Sequence, residues 1–154
     1  MITIKSKSEI EKMRVAGKIT GDALKLIEKH IKPGVTTLEL DKIAFDFIKK
    51  QGATPSFLNY NGFPGSICAS PNSQVVHGIP SKNVTLKEGD IISIDMGAYK
   101  DGFHSDAART FPVGKISPEA QRLIDVTRQS FYEGIKYATH GAKLGDVSAA
   151  IQEY

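Results

Sequence analysis

The segment Ile91–Gly114, IISIDMGAYKDGFHSDAARTFPVG, limits what this chain can fold into more than any other stretch. Asp101-Gly102 is a hairpin turn signal, because both residues tolerate the positive φ that tight hairpin turns require. Ile91, Ile92 and Ile94 form an apolar run. Asp95 follows directly, where a half-buried strand should carry another apolar residue. A carboxylate taken out of water without a partner is costly, so its position calls for an explanation. With Asp101 and Gly102 as central turn residues, Lys100 faces Phe103 and Asp106 faces Gly97. Side chains alternate with period two, so Asp95, Gly97, Asp106 and Ala108 then share one face. A turn centred on Lys100-Asp101 instead sets Asp95 opposite Asp106. Both registers bring the carboxylates together, with Gly97 and Ala108 leaving open space beside them. A three-residue turn would split them into two solvated aspartates. Adjoining carboxylates need a shared proton or a cation, and a hard divalent metal suits oxygen ligands.

A chain of 154 residues, 40% hydrophobic and 24% charged, is long enough for one cored globular domain. Its net charge of +3 is scattered, with Lys49-Lys50 the only notable doublet in a helix, so no nucleic-acid partner is expected. The single cysteine, Cys68, excludes an internal disulfide and fits a reducing compartment. The opening MITIKSKSEIEKM is polar and contains no apolar segment of signal-peptide or membrane-span length. The expectation is a cytoplasmic protein with no membrane partner.

Two helices open the chain. Ser6-Lys7-Ser8-Glu9 is a capping box, with Ser8 to Glu11 as a second choice. Ile10, Met13, Ala16, Ile19, Ala23, Leu24, Ile27 and Ile31 then fall on one helical face, and Lys32-Pro33-Gly34 stops it. Thr36 to Glu39 caps a second helix, with Leu40, Ile43, Ala44, Phe47 and Ile48 apolar and Gly52 at its end. Residues 53–66 form a loop rich in Gly, Pro, Asn and Ser. Ile67–Ser70 reads as a short strand. Gln74–Pro80 reads as an extended segment broken at Gly78 and Pro80. Residues 81–90 form a polar loop before the hairpin. Ser117-Pro118-Glu119 starts a third helix, with Leu123, Val126, Phe131 and Ile135 on one face and His140-Gly141 as its stop. Leu144–Tyr154 opens a fourth, with Val147, Ala150 and Ile151 apolar.

A shift of 107 residues lays the third helix on the first and the fourth on the second, and Gly34 on Gly141, a weak internal echo. It divides the chain into 1–116, running helix, helix, strands and hairpin, and 117–154, which holds only the next two helices. If the echo is real, the expectation is one incomplete domain that ends inside an unfinished repeat.

His77 sits between an apolar strand end and a Gly-Ile-Pro break, a place from which catalytic side chains project. A histidine hydrogen-bonded in a partly buried corner is the plainer reading. Phe57, Tyr60, Phe63 and Cys68 could line a pocket for an unbranched, polarizable side chain, or could simply pin the loop to the core. His104 shares strand parity with Asp106 and could face the same site, or flank it and hydrogen-bond Tyr99. His30 and His140 sit at helix ends, where the helix dipole explains them.

The stretches EIEKMRVAGKI, KPGVTTLELD, NYNGFPGSICAS, VVHGIP and EGDIISIDMGAYKDGFHSDAARTFPVGK, in this order and spacing, resemble the type I methionine aminopeptidases. The resemblance runs over all 154 residues, and VVHGIP combined with two aspartates eleven apart is its most specific part. It implies an α/β (α+β) creatinase-like pita-bread fold, here the first half plus the opening helices of the second. It implies that Asp95 and Asp106 are metal ligands, the first bidentate and the second bridging, in a site for two divalent ions (Co, Mn, Fe or Zn). It implies that His77 contacts the scissile amide, and that Tyr60, Phe63 and Cys68 line the pocket for a methionine side chain. Phe57 stands where some bacterial members have cysteine, and Asn72-Ser73-Gln74 departs from the commoner Asn-Glu.

The family's other ligands, one histidine and two glutamates, and a second catalytic histidine come from a half whose strands this chain lacks. The implied activity is metal-dependent removal of the N-terminal methionine from nascent or mature polypeptides, with little activity for these 154 residues alone. The alternative from another class is a binding module or assembly subunit, completed by a separate C-terminal chain or by self-association.

Overall fold

The computed structural model describes residues 3–154, and the chain forms two compact units, Met1–Lys115 and Ile116–Tyr154. The first opens with helices α1 (Lys7–Glu28) and α2 (Thr37–Lys50). Both start at the expected capping boxes. The Ser6 N–H donates to Glu9 Oε2 at 2.7 Å, and the Thr36 N–H donates to Glu39 Oε2 at 2.8 Å. Each box satisfies N–H groups that the first helical turn leaves without partners. Ala16, Ile19, Ala23, Leu24 and Ile27 are buried on α1, and Leu40, Ala44 and Ile48 on α2. Ile10 and Met13, expected on the same face of α1, are 39% and 40% exposed. Twenty-two residues of helix run to about 33 Å. A six-residue strand reaches only about 20 Å. The first turns of α1 therefore overhang the layer it packs on.

Six strands follow: β1 (Thr54–Pro55), β2 (Ile67–Pro71), β3 (Ile91–Met96), β4 (Ala98–Lys100), β5 (Phe103–His104) and β6 (Ala107–Pro112). They form two antiparallel sheets, ordered β1-β4-β5 and β2-β3-β6. Ile92, Ile94 and Met96 alternate into the core, together with Ile67, Ala69 and Phe111. The core also takes Leu86, from the loop that reads as polar, because the Leu86 N–H donates to Val35 O at 2.8 Å and holds that loop against the start of α2.

The hairpin adopts the register with Asp101 and Gly102 at its centre. Lys100 pairs with Phe103, Tyr99 with His104, Met96 with Ala107 and Asp95 with Ala108. Asp101 and Gly102 have φ of 51° and 90°, the mirror-image turn that suits right-twisted strands. The turn on Lys100-Asp101 and the three-residue turn are both excluded. The hairpin is not one continuous ladder, however. It breaks at Gly97 and Ser105–Asp106, which belong to no strand. Ser105 is responsible. Its Oγ donates toward Ala16 O (2.9 Å) on α1 and Ala98 O (3.1 Å), and shares a 2.6 Å hydrogen bond with the buried Thr20 hydroxyl. Gly97 is not open space either. A Cβ there would run into the Ser105 carbonyl oxygen and lie 3.0 Å from Ser56 Cβ.

A second correction concerns Gln74–Pro80. None of it is strand, and Val75 is 80% exposed. His77 itself has φ of 59°, in the left-handed region. The apolar residues before it therefore do not form the expected strand end.

The second unit holds α3 (Pro118–Ile135) and α4 (Leu144–Glu153). Ser117 caps α3 by accepting from the Ala120 N–H at 3.1 Å, with Pro118 at the first position. The helix ends at Ile135, ahead of the expected His140-Gly141 stop. Gly134 is buried where the helices meet, and a Cβ there would lie 2.5 Å from the Ile151 side chain. Leu123, Val126, Phe131 and Ile135, expected to share one face of α3, are all exposed. Among the described residues no helix is long and apolar enough to cross a membrane.

Candidate metal centre

Asp95 lies on the face of β3 opposite the core, paired with Cys68 of β2 on one side and Ala108 of β6 on the other. It is only partly buried, yet its Oδ1 is buried and lacks any hydrogen-bond partner, the one such side-chain atom among the described residues. Asp106 is part of the break, one residue before β6 begins.

The two carboxyl groups lie close enough that the charge of Asp106 acts on Asp95. When both are ionised neither can donate, so the approach must be relieved by a proton or a cation. Burial, followed by the negative charge of Asp106, pushes the Asp95 carboxyl up from 3.8 to about 6. The nearby His77 and the Met96 backbone act in the opposite direction. Burial is also the main reason the Cys68 thiol rises from 9.0 to about 11, with Asp95 and Asp106 adding to it. A thiol held neutral is a packing surface and a poor metal ligand.

Four of the six residues singled out in the sequence are thus brought together: Asp95, Asp106, Cys68 and His77. Tyr60 and Phe63 stand on a 3₁₀ turn (Tyr60–Gly62) and its exit, closed by the Asn59 N–H donating to Phe63 O at 2.8 Å. Tyr60 is 70% exposed, Phe63 is half-buried and Cys68 is buried. Phe57 is half-buried ahead of the turn. A cleft of about 370 Å³ lies elsewhere, lined by Phe45, Lys49, Ser56, Leu58, Tyr99 and His104 among others. It includes neither aspartate, so this cleft and the carboxylate chemistry do not coincide. His104 belongs to this cleft. Its Nδ1 lies 3.0 Å from Ser56 Oγ, and its ring is 4.5 Å from that of Tyr99. His104 thus flanks the site beside Tyr99, but its hydrogen bond is to Ser56 and not, as expected, to Tyr99.

A buried carboxylate oxygen with no donor, set against a second carboxylate, fits a hard divalent cation. Among the described residues no group of three or more His, Cys, Asp or Glu side chains is arranged to hold a metal. The chain therefore presents a pair of ligands, which is part of a coordination sphere. Sequence reasoning missed Ser105 and Thr20, which fix the break, and Ser70, which contacts the segment after His77. These are small hydroxyl residues with no motif of their own, and only tertiary proximity reveals them.

A model of metallopeptidase family M24 matches residues 11–154. The chain is 58% identical over its full length to a methionine aminopeptidase of Clostridium acetobutylicum, and covers 62% of that protein. It superimposes on a crystal structure of methionine aminopeptidase from Rickettsia prowazekii with a TM-score of 0.96 and 44% identity, covering 100% of this chain and 62% of that one. For the Thermotoga maritima enzyme the TM-score is 0.97 and the identity 43%, over 99% and 61% of the two chains. The chain thus spans about six-tenths of the length of these relatives.

Proposed function

The chain belongs to metallopeptidase family M24, and on that premise we propose that it is the N-terminal part of an enzyme that removes methionine from the N-terminus of polypeptides. Asp95 and Asp106 hold divalent metal in this reading, two ions in the complete site, with Co, Mn, Fe and Zn all compatible with oxygen and histidine donors. Bound there, such cations supply Lewis-acid polarisation of the scissile carbonyl and acidify water for hydrolysis. The residues of this chain orient the reacting groups. His77, near Asp95, stands by the scissile amide and hydrogen-bonds the charge that develops as its carbonyl is attacked. Cys68, neutral and buried, forms the floor of the methionine pocket, and Tyr60 and Phe63 its mouth. The substrate is a polypeptide with a free N-terminal methionine. The remaining metal ligands come from outside these residues, so the 154 residues alone turn over little or no substrate.

The single observation that carries this reading is the partnerless Asp95 Oδ1 beside the Asp106 carboxyl. The test is a chimera in which this chain replaces the aligned segment of the Clostridium acetobutylicum relative. It is expected to release methionine from Met-Ala-Ser in the presence of Mn²⁺ or Co²⁺ and to lose that activity with Asp95→Asn. A folded but inactive chimera, or steady turnover by the isolated chain, would contradict the reading.

The absence of a third metal ligand among the described residues favours a second reading, an assembly subunit whose site is completed by a separate chain or by self-association. Sedimentation combined with metal analysis separates the two. A stoichiometric partner, or a dimer with full metal loading, supports the second.

A further inference from the structure

His77 is exposed and carries a left-handed backbone that a residue with a Cβ rarely adopts. A strained conformation persists only where neighbouring structure over-determines it, and the neighbouring structure here is unusually specific. The Gly78 N–H donates to Ser70 Oγ at 3.0 Å in a buried bond. The Ala69 N–H donates to Gly78 O at 2.9 Å. Gly78 thus lies against β2, fixed on both its polar groups. No side chain fits there, because a Cβ would run into the Ala69 carbonyl oxygen and lie 2.9 Å from Ser70 Cα. Further along, Pro80 packs on Gly65, where a Cβ would be 2.8 Å from Pro80 Cδ. On the other side of His77, Asn72 is tied to the start of β3. The Asn72 N–H donates to Ile91 O at 2.9 Å, and the Ile91 N–H donates to Asn72 Oδ1 at 3.1 Å. The loop is clamped at both ends, and His77 sits against the inner clamp.

Ser70 is 3% exposed, and its hydroxyl oxygen is the acceptor for the Gly78 N–H. A serine on a strand has no such task by default, since backbone partners already serve the ladder. We propose that Ser70 and Gly78 form a latch that holds His77 in its left-handed conformation and so sets the approach of its imidazole to the Asp95–Asp106 pair. Ser70 is then a positioning residue, acting through the backbone of the residue after His77. The latch stands on hydrogen bonds and close packing alone. Its catalytic consequence rests on the proposed function of His77.

The test is NMR on the isotope-labelled 154-residue chain, comparing wild type, Ser70→Ala and Ser70→Thr. In wild type, scalar couplings should report a positive φ at His77, and the Gly78 amide should exchange slowly. Ser70→Ala should shift His77 to negative φ and speed Gly78 exchange at least ~10-fold more than it speeds Ile94 exchange, as the loss of one buried hydrogen bond implies. Ser70→Thr, which keeps the hydroxyl, should retain both features. In a Mn²⁺ titration, broadening of the His77 imidazole relative to the Ala107 and Ala108 amides should weaken in Ser70→Ala alone. Retention of positive φ and Gly78 protection in Ser70→Ala overturns the latch, as does a parallel loss of Ile94 protection. If Mn²⁺ leaves Ala107 and Ala108 sharp in wild type, the metal reading fails, and φ and exchange still decide the latch.

Discussion

Two carboxylates in the first unit pose the same physical problem and solve it differently. Asp41, on α2, is partly buried and accepts from the Ser66 N–H at 2.6 Å and the Ile67 N–H at 3.1 Å. Burial raises its pKa, and these two donors pull it back down. It pins the entry of β2 to α2, which is a structural task. Asp95 is also raised by burial, but its second perturbation is another negative charge, and one of its oxygens has no partner. A structural carboxylate brings its own donors, whereas a ligand carboxylate is left wanting one. That contrast separates the two more sharply than burial or pKa direction, which they share.

The largest effects should appear when each is neutralised. Asp95→Asn should lower Mn²⁺ affinity by ~100-fold or more while leaving the metal-free fold as stable as wild type or more so, since it removes a repulsive charge. Asp41→Ala should do the reverse. It leaves two backbone N–H groups without their acceptor, costing about 1–3 kcal/mol, and leaves the Mn²⁺ response intact. Thermal unfolding with and without Mn²⁺ reads both. A shared phenotype would erase the distinction.

A comparable loss of about 1–3 kcal/mol is expected of Gly97→Ala, because overpacking at the strand break must displace Ser105. It should also weaken metal binding by moving Asp106, and calorimetry with Mn²⁺ would reveal that second effect.

The pH response is the next test. The folded pKa of Asp95 lies near 6, above its reference of 3.8. Between those values the folded chain holds a proton that the unfolded chain has released. The Asp95 contribution to the stability of the metal-free chain should therefore fall as pH rises from about 4 through 6, then level off. Asp41, raised in the same direction, adds a slope of the same sign. Asp95→Asn should flatten the curve only in part, and saturating Mn²⁺ should offset the Asp95 contribution above pH 6. Denaturant unfolding across pH 4–8 measures this.

The smallest effect is expected in the second unit. Phe131 is 55% exposed, so Phe131→Ser should change stability of the isolated chain by no more than about 0.5 kcal/mol. Ile94→Ala in the buried core should cost about 2–5 kcal/mol.

The same contrast shows what could be read from sequence. Helix starts were legible because Ser6, Thr36 and Ser117 act within three residues of their partners. The Asp101-Gly102 turn fixed the hairpin register for the same local reason. Periodicity showed which residues share a helical face, but burial depends on what covers that face. On α1 and α2 a sheet does, whereas Leu123 and Phe131 on α3 remain exposed. The break at Gly97 and the burial of Leu86 both depend on contacts distant in sequence. The Thr20–Ser105 bond spans 85 residues. The two aspartates were legible as neighbours because strand parity carried them across the hairpin, though the strand break at Asp106 was not.

The most direct test is anomalous scattering from crystals of the 154-residue chain soaked in ~millimolar Mn²⁺, a concentration suited to a weak carboxylate site. A Mn²⁺ peak bridging Asp95 Oδ1 and the Asp106 carboxylate, absent in Asp95→Asn, is the result this account predicts. A soaked crystal with no peak between them, and a proton shared by the two carboxyl groups in its place, would contradict it.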